Sequence, residues 1–208
     1  MTDNWPPTVY LVDDDASFLK AVSRLLLATG HPVKTYSSAA EFLQNLPAAS
    51  PGCVVADLQM PGLSGLDLQA ALARTNNPMP VLFLTGHGDI PTSVRAMRQG
   101  AEDLLTKRAP KEELLDAVKR ALARDARERA GRTRVQGLRD RFDALTERER
   151  EVLQHVLRGQ LNKQIAADLG IHERTVKLHR TAITTKLGVP SVAELTRLAQ
   201  EAGLFSNQ

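Results

Sequence analysis

The stretch Gly52-Cys53-Val54-Val55-Ala56-Asp57-Leu58-Gln59-Met60-Pro61-Gly62-Leu63-Ser64-Gly65 decides the fold. Its β-branched pair, Val54-Val55, runs straight into a carboxylate, Asp57. Pro61, Gly62 and Gly65 follow, and a helical pattern begins near Ser64. A lone acid therefore stands at the C-terminal end of a buried strand, the place where open α/β sheets bind ligands. Upstream, the apolar run Val9 to Val12 ends in Asp13-Asp14-Asp15. Downstream, "PVLFLT" ends in Thr85 and "DLLTK" in Lys107. Carboxylates from two strand ends make a hard, oxygen-rich site that suits Mg²⁺. With a hydroxyl and a fixed cation alongside, these groups point to phosphoryl chemistry at one aspartate.

Outward from this stretch, short apolar strands alternate with amphipathic helices. Strands are expected near 8–13, 32–36, 53–57, 80–85 and 103–107, and helices near 16–29, 38–46, 64–74, 90–99 and 111–124. Such alternation predicts a parallel sheet covered on both faces. Residues 120–142 are rich in Arg, Ala, Glu and Asp, with Val135, Leu138 and Phe142 at helical spacing. Gly131 and Gly137 each cost about 1 kcal/mol in a helix interior, so a connector that breaks or bends near Gly131 is expected. From Leu145 the period is helical throughout. Thr146-x-x-Glu149 is a capping box, Gly170 and Gly188 are helix stops, and Ser191-x-x-Glu194 opens a last helix that ends near Gly203. The expected division is an α/β domain over 1–122, a helical linker over 123–142 and an all-α domain over 143–208.

The 208 residues suffice for two small domains. No apolar run approaches the ~20 residues of a membrane helix, and "MTDNWPPT" has no secretory pattern. One cysteine, Cys53, excludes an internal disulfide and reads as a small buried side chain. These features lead us to expect a cytoplasmic protein. Charge is uneven: residues 1–125 carry about −2 and residues 126–208 about +5, a balance compatible with a nucleic-acid partner in the second half.

These motifs, in this order and spacing, resemble the receiver domain of two-component response regulators over roughly residues 8–122. "TGHGDIP" followed by "VRAMRQGAEDLL" narrows the resemblance to the FixJ/NarL family. "LTEREREVLQHVLRGQLNKQIAADLGIHERTVKLHRTAITTKLGV" resembles a LuxR-type helix-turn-helix domain. The resemblance implies a strand order of 2-1-3-4-5. It implies that Asp57 accepts a phosphoryl group from a sensor histidine kinase. Mg²⁺ would be held by Asp13, Asp14, Asp57 and the backbone carbonyl of Gln59, with Asp13 acting through water. Lys107 would pair with the phosphoryl group and Thr85 would donate to it, pulling inward as the switch. "GHGD" after Thr85 is expected to move easily. The chain is expected to be a DNA-binding regulator and not an enzyme, homodimeric when activated, with RNA polymerase as a further partner and no membrane association.

Two positions depart from the family pattern. Lys107 is followed by Arg108 where the family has proline, so a trans bond and altered local geometry are expected. Leu104 stands where an aromatic ring usually follows the threonine inward. These departures permit an alternative, a phosphorylation-independent DNA-binding regulator with an atypical receiver. A different class, the aspartyl-phosphate hydrolases of the haloacid dehalogenase type, needs a second Asp two residues after the nucleophile; Gln59 holds that place.

The second helix of a helix-turn-helix pair enters the major groove, here Glu173 to Leu187. At 100° per residue, Val176, Ile183 and Leu187 share an inner face, while Arg174, Lys177, Leu178, Thr181 and Thr185 point away as candidate base contacts. Asn162, Lys163, Thr175 and Lys186 are candidate phosphate contacts, which position the domain without reading sequence. Arg180 is left open between DNA and an acid such as Glu147. His172 is expected to cap the helix poorly.

Overall fold

The structure is a computed structural model that describes residues 6–46, 51–75, 78–86 and 90–204. The chain divides into two compact units, Met1–Glu128 and Arg129–Gln208. In the first, β1 (Thr8–Val12), β2 (Val33–Tyr36), β3 (Gly52–Asp57), β4 (Val81–Thr85) and β5 (Asp103–Thr106) form one sheet in the order β2-β1-β3-β4-β5. Every pairing is parallel, and the register sets Asp57 against Leu84 and Thr85 against Thr106. The helices are α1 (Ala16–Ala28), α2 (Ala39–Gln44), α3 (Gly65–Ala73), α4 (Ile90–Arg98) and the start of α5 (Lys111–Asp143).

The period of two along each strand sorts the core into two layers. Val9, Leu11, Cys53, Val55, Leu82 and Leu84 join Val22 and Leu26 of α1 and Leu114, Ala117 and Val118 of α5. The alternating residues Tyr10, Val12, Val54, Ala56, Val81 and Phe83 join Phe42 of α2, Leu68 and Leu72 of α3 and Ala96 of α4. The inner strands β1, β3 and β4 are buried on both faces, so they read as continuous apolar runs, while the edge strands β2 and β5 are partly exposed. All functional strand ends then emerge at one edge.

The second unit packs α6 (Glu147–Leu157), α7 (Asn162–Leu169), α8 (Glu173–Leu187) and α9 (Val192–Glu201) around Val152, Val156, Ile165, Val176, Ile183, Leu187, Leu195 and Leu198. Thr146 and Ser191 cap α6 and α9 as expected, and Gly170 and Gly188 end α7 and α8 in the left-handed conformation. Leu138 and Phe142 of α5 belong to this core, although they lie in the stretch expected as linker.

The expected break near Gly131 is not there: α5 is one helix from Lys111 to Asp143. The cost of two glycines is outweighed because both ends are anchored. Leu114, Ala117 and Val118 are buried in the first unit's core and Leu138 and Phe142 in the second's. Arg124–Glu128 and Gln136–Asp140 add i,i+4 contacts.

Candidate phosphoacceptor pocket and nucleic-acid interface

Strand ends bring the sequence-predicted acidic residues together. One carboxylate oxygen each from Asp13, Asp14 and Asp57 lies within 4.8 Å of the others, a set that could hold a metal ion. Asp13 and Asp57 are buried and Asp14 is exposed. Lys107 spans the pocket: its Nζ is 2.7 Å from Asp57 Oδ2 and 2.7 Å from Asp13 Oδ2, and it donates to Asp13 Oδ1 at 3.0 Å. The ammonium also lies 4.7 Å from the centre of the Phe18 ring. The Asp15 amide donates to Asp13 Oδ1 (2.9 Å) and the Gln59 amide to Asp57 Oδ1 (3.0 Å), while Asp15 itself caps α1.

Burial pushes the Asp13 carboxyl up from the ordinary carboxylate value, against the hydrogen bond from Lys107. Burial pulls the Lys107 ammonium down, but its hydrogen bonds to Asp13 and Asp57 outweigh this and hold it above its ordinary value. The lysine is therefore a fixed positive charge. Thr85 is 1% exposed, and its Oγ1 has no hydrogen-bond partner among the described residues. A buried hydroxyl without a partner costs about 1–3 kcal/mol, so an acceptor arriving at the strand ends would find a donor waiting. Close packing fixes the acid's floor: a Cβ on Gly65 would meet Asp57 O at 2.5 Å and the Phe83 ring at 2.8 Å.

The peptide bond before Arg108 is trans, and the Lys107 amide donates to Thr85 O at 2.9 Å. Leu104 is half-buried against the Tyr10–Phe83 layer. Of "GHGD", only Gly86 is described; residues 87–89 lie outside the described residues.

In the second unit, Arg174, Lys177, Leu178, Thr181 and Thr185 are all exposed on α8, and Val176, Ile183 and Leu187 are all buried. Leu178 is 64% exposed, the one apolar side chain on a face of basic and hydroxyl groups. Lys163 is exposed, and Asn162 and Thr175 are half-buried. Arg180, Asn162 and Lys186 are engaged within the domain, and the Thr181 hydroxyl donates to Lys177 O at 3.1 Å. Arg180 donates to Asn162 Oδ1 at 2.8 Å, not to Glu147, and Lys186 is 2.7 Å from Glu149 Oε2. His172 makes no side-chain cap. Sequence reading missed Arg134, which pairs with Glu201, and Arg139, which donates to Ala202 O at 3.0 Å. Their only signal was a general richness in arginine.

The family signature "Response regulator receiver domain" matches residues 9–119, and "Bacterial regulatory proteins, luxR family" matches residues 143–199. The chain belongs to the response regulators that join these two domains. Among the relatives of this regulator are the response regulator protein TodT of Pseudomonas putida and nodulation protein W of Bradyrhizobium diazoefficiens. TodT is 42% identical over 192 residues, 92% of this chain and 85% of TodT. Nodulation protein W is 42% identical over 199 residues, 96% and 88%. The regulator's structure is similar to that of the response regulator StyR, with a TM-score of 0.82 at 43% identity over 95% of this chain and 100% of that one. Full-length FixJ from B. japonicum gives 0.58 at 36% identity over 96% and 98%. The parallel 2-1-3-4-5 sheet and the helical C-terminal domain are those of this family. No helix among the described residues is long and apolar enough to cross a membrane.

Proposed function

We propose that this response regulator is phosphorylated on Asp57 by a partner histidine kinase and that phosphorylation controls its binding to DNA. The observation that carries the reading is the strand-end cluster: Asp57 and Asp13 share Lys107 at 2.7 Å, beside the unpartnered Thr85 hydroxyl. An Asp57 carboxylate oxygen attacks phosphorus, an acyl phosphate forms, and the bond from phosphorus to the kinase's histidine nitrogen breaks. Asp13, Asp14 and Asp57, with the Gln59 carbonyl, are hard oxygen donors that suit Mg²⁺, whose charge would neutralise the phosphoryl oxygens. Lys107 pairs with the new group as a point charge, and the Thr85 hydroxyl gains an acceptor by turning toward it. The regulator acts by binding and not by turnover of a substrate. Acetyl phosphate with Mg²⁺ should label the wild type with an acid-labile group and should not label Asp57→Asn; equal labelling of both refutes the assignment.

For the output, α8 reads base edges through Arg174, Lys177, Leu178, Thr181 and Thr185, while Asn162, Lys163, Thr175 and Lys186 position the domain on phosphates. One helix-turn-helix reads too few base pairs for a genomic site, so two copies pair on an inverted repeat. Ile90, Val94 and Met97, spaced i, i+4, i+7, are exposed at 77%, 43% and 46% and form an apolar stripe on α4, the helix that follows β4 and packs on β5. This stripe is the receiver's pairing face on activation, and RNA polymerase is the downstream partner. The exclusively phosphorylation-independent reading draws on Leu104, which has no ring to follow Thr85. Under it, beryllofluoride with Mg²⁺ leaves operator affinity and the sedimentation coefficient unchanged; under ours, both rise.

A further inference from the structure

Gln69 lies in the middle of α3 and points inward, 5% exposed, between the buried Leu68 and Leu72. Its Nε2 donates to the backbone carbonyl of Ala96 on α4 at 3.4 Å, a length at which a hydrogen bond is weak. The carbonyl sets the amide's orientation, because only the NH₂ group can face it. Ala96 O already accepts from the Ala101 amide at 3.2 Å and does not depend on Gln69. The opposite end of the amide, Oε1, is buried without a partner among the described residues. An apolar side chain of the same volume would therefore fit this seat better than glutamine does. The helix that glutamine touches buries little of itself. Ala96 is the only fully buried residue of α4, whereas α3 buries Gly65, Leu68, Gln69 and Leu72.

We infer that Gln69 is a positioning residue of the switch: its half-satisfied amide destabilises the seat of α4 on α3 and keeps α4 poised to shift. The inference rests on the reading of Asp57 as phosphoacceptor and of α4 as the responding element. A shift of α4 that brings a donor to Oε1 recovers the lost hydrogen bond, so the displaced arrangement lies close in free energy. The penalty for one unpaired buried acceptor corresponds to roughly a 5- to 150-fold change in that equilibrium.

Gln69→Met removes the orphan at nearly constant volume, and Gln69→Leu serves as a second variant should methionine disturb folding. Amide hydrogen exchange on the full chain, with no phosphoryl donor, reads the seat directly. Protection of residues 90–98 should rise about 5- to 150-fold in the variant, with the β1 and β3 amides unchanged. Unchanged protection of α4, or an equal rise across the receiver, overturns the inference; the first result would mean that a bound water already satisfies Oε1. In a second arm, beryllofluoride with Mg²⁺ is added and DNA affinity is measured. Both proteins should respond, the variant with a smaller ratio of activated to resting affinity, and an equal ratio also overturns the inference. A wild type that does not respond to beryllofluoride refutes the phosphoacceptor reading instead, and the exchange result still decides the role of Gln69.

Discussion

Lys107 stands between Asp13 and Asp57, and nothing else described in the pocket supplies a positive charge there. Lys107→Ala should slow phosphorylation by acetyl phosphate on the order of 10²-fold, the usual effect of losing one donor to a developing oxyanion; a rate within twofold of wild type would remove Lys107 from the pocket's chemistry. In the DNA-binding unit, Lys177→Ala should cost about 1–3 kcal/mol on the cognate site alone. Lys163→Ala should weaken cognate and random DNA alike and flatten the salt slope by about one. Lys186→Ala differs from both, because Lys186 also holds Glu149, and it should lower the melting temperature as well. Glu149 gives a pH test. The hydrogen bond from Lys186, and then that from the Thr146 amide, holds its carboxyl below the ordinary 4.5. Its folded-state value is thus depressed, so its contribution is present above 4.5 and fades as pH falls through the folded value. Glu149→Gln should cost roughly 1 kcal/mol at neutral pH, and the gap to wild type should close in thermal melts taken at successively lower pH below 4.5. The strand-end residues were legible because a turn after an apolar run fixes where a side chain emerges. Gln69 was not, since a polar residue inside an amphipathic helix reads as solvent-facing. Nor was the Arg180–Asn162 pair, whose residues are 18 apart and meet only through the turn between α7 and α8.

At the scale of elements, the five strands and helices α1 to α4 were legible to within a residue or two, because the inner strands are unbroken apolar runs and turn residues close each element. The break allowed for in the connector is absent for a definite reason. Helix propensity is local, and the anchors that keep α5 one helix through Gly131 and Gly137 lie in two different cores. Neither glycine has a positive φ, and a Cβ on either would meet nothing within 4 Å. Gly131→Ala and Gly137→Ala should therefore stabilise α5 by up to about 1 kcal/mol each, visible as added helical signal on the full chain and slower exchange at α5 amides. A loss of helix in either variant would show that these positions need glycine after all.

At the scale of the molecule, the DNA-binding unit begins earlier than the LuxR-type signature at residue 143, because Leu138, Phe142, Arg134 and Arg139 serve its core and the end of α9. A fragment of residues 129–208 should melt cooperatively and bind DNA whatever the phosphorylation state. A fragment of 143–208 forfeits the burial of Leu138 and Phe142, about 2–5 kcal/mol for each side chain, and should show no cooperative transition by circular dichroism. Equal melting temperatures for the two would place Leu138 and Phe142 outside the functional core. The all-parallel sheet has a kinetic consequence. Every neighbouring pair of strands is separated in sequence by at least one helical crossover, and β1 must wait for β3 across some forty residues. The helices α6, α7 and α8 meet one another only a turn or a helix away, and only α9 reaches back further, to α6 and the end of α5. Chains rich in distant contacts fold orders of magnitude more slowly than helical ones of similar size. Refolding from denaturant should accordingly run in two phases, a fast one that regains the C-terminal helices and a slow one that assembles the sheet. On dilution from denaturant, the helical C-terminal unit would then stand complete while the sheet beside it in sequence is still searching for its register.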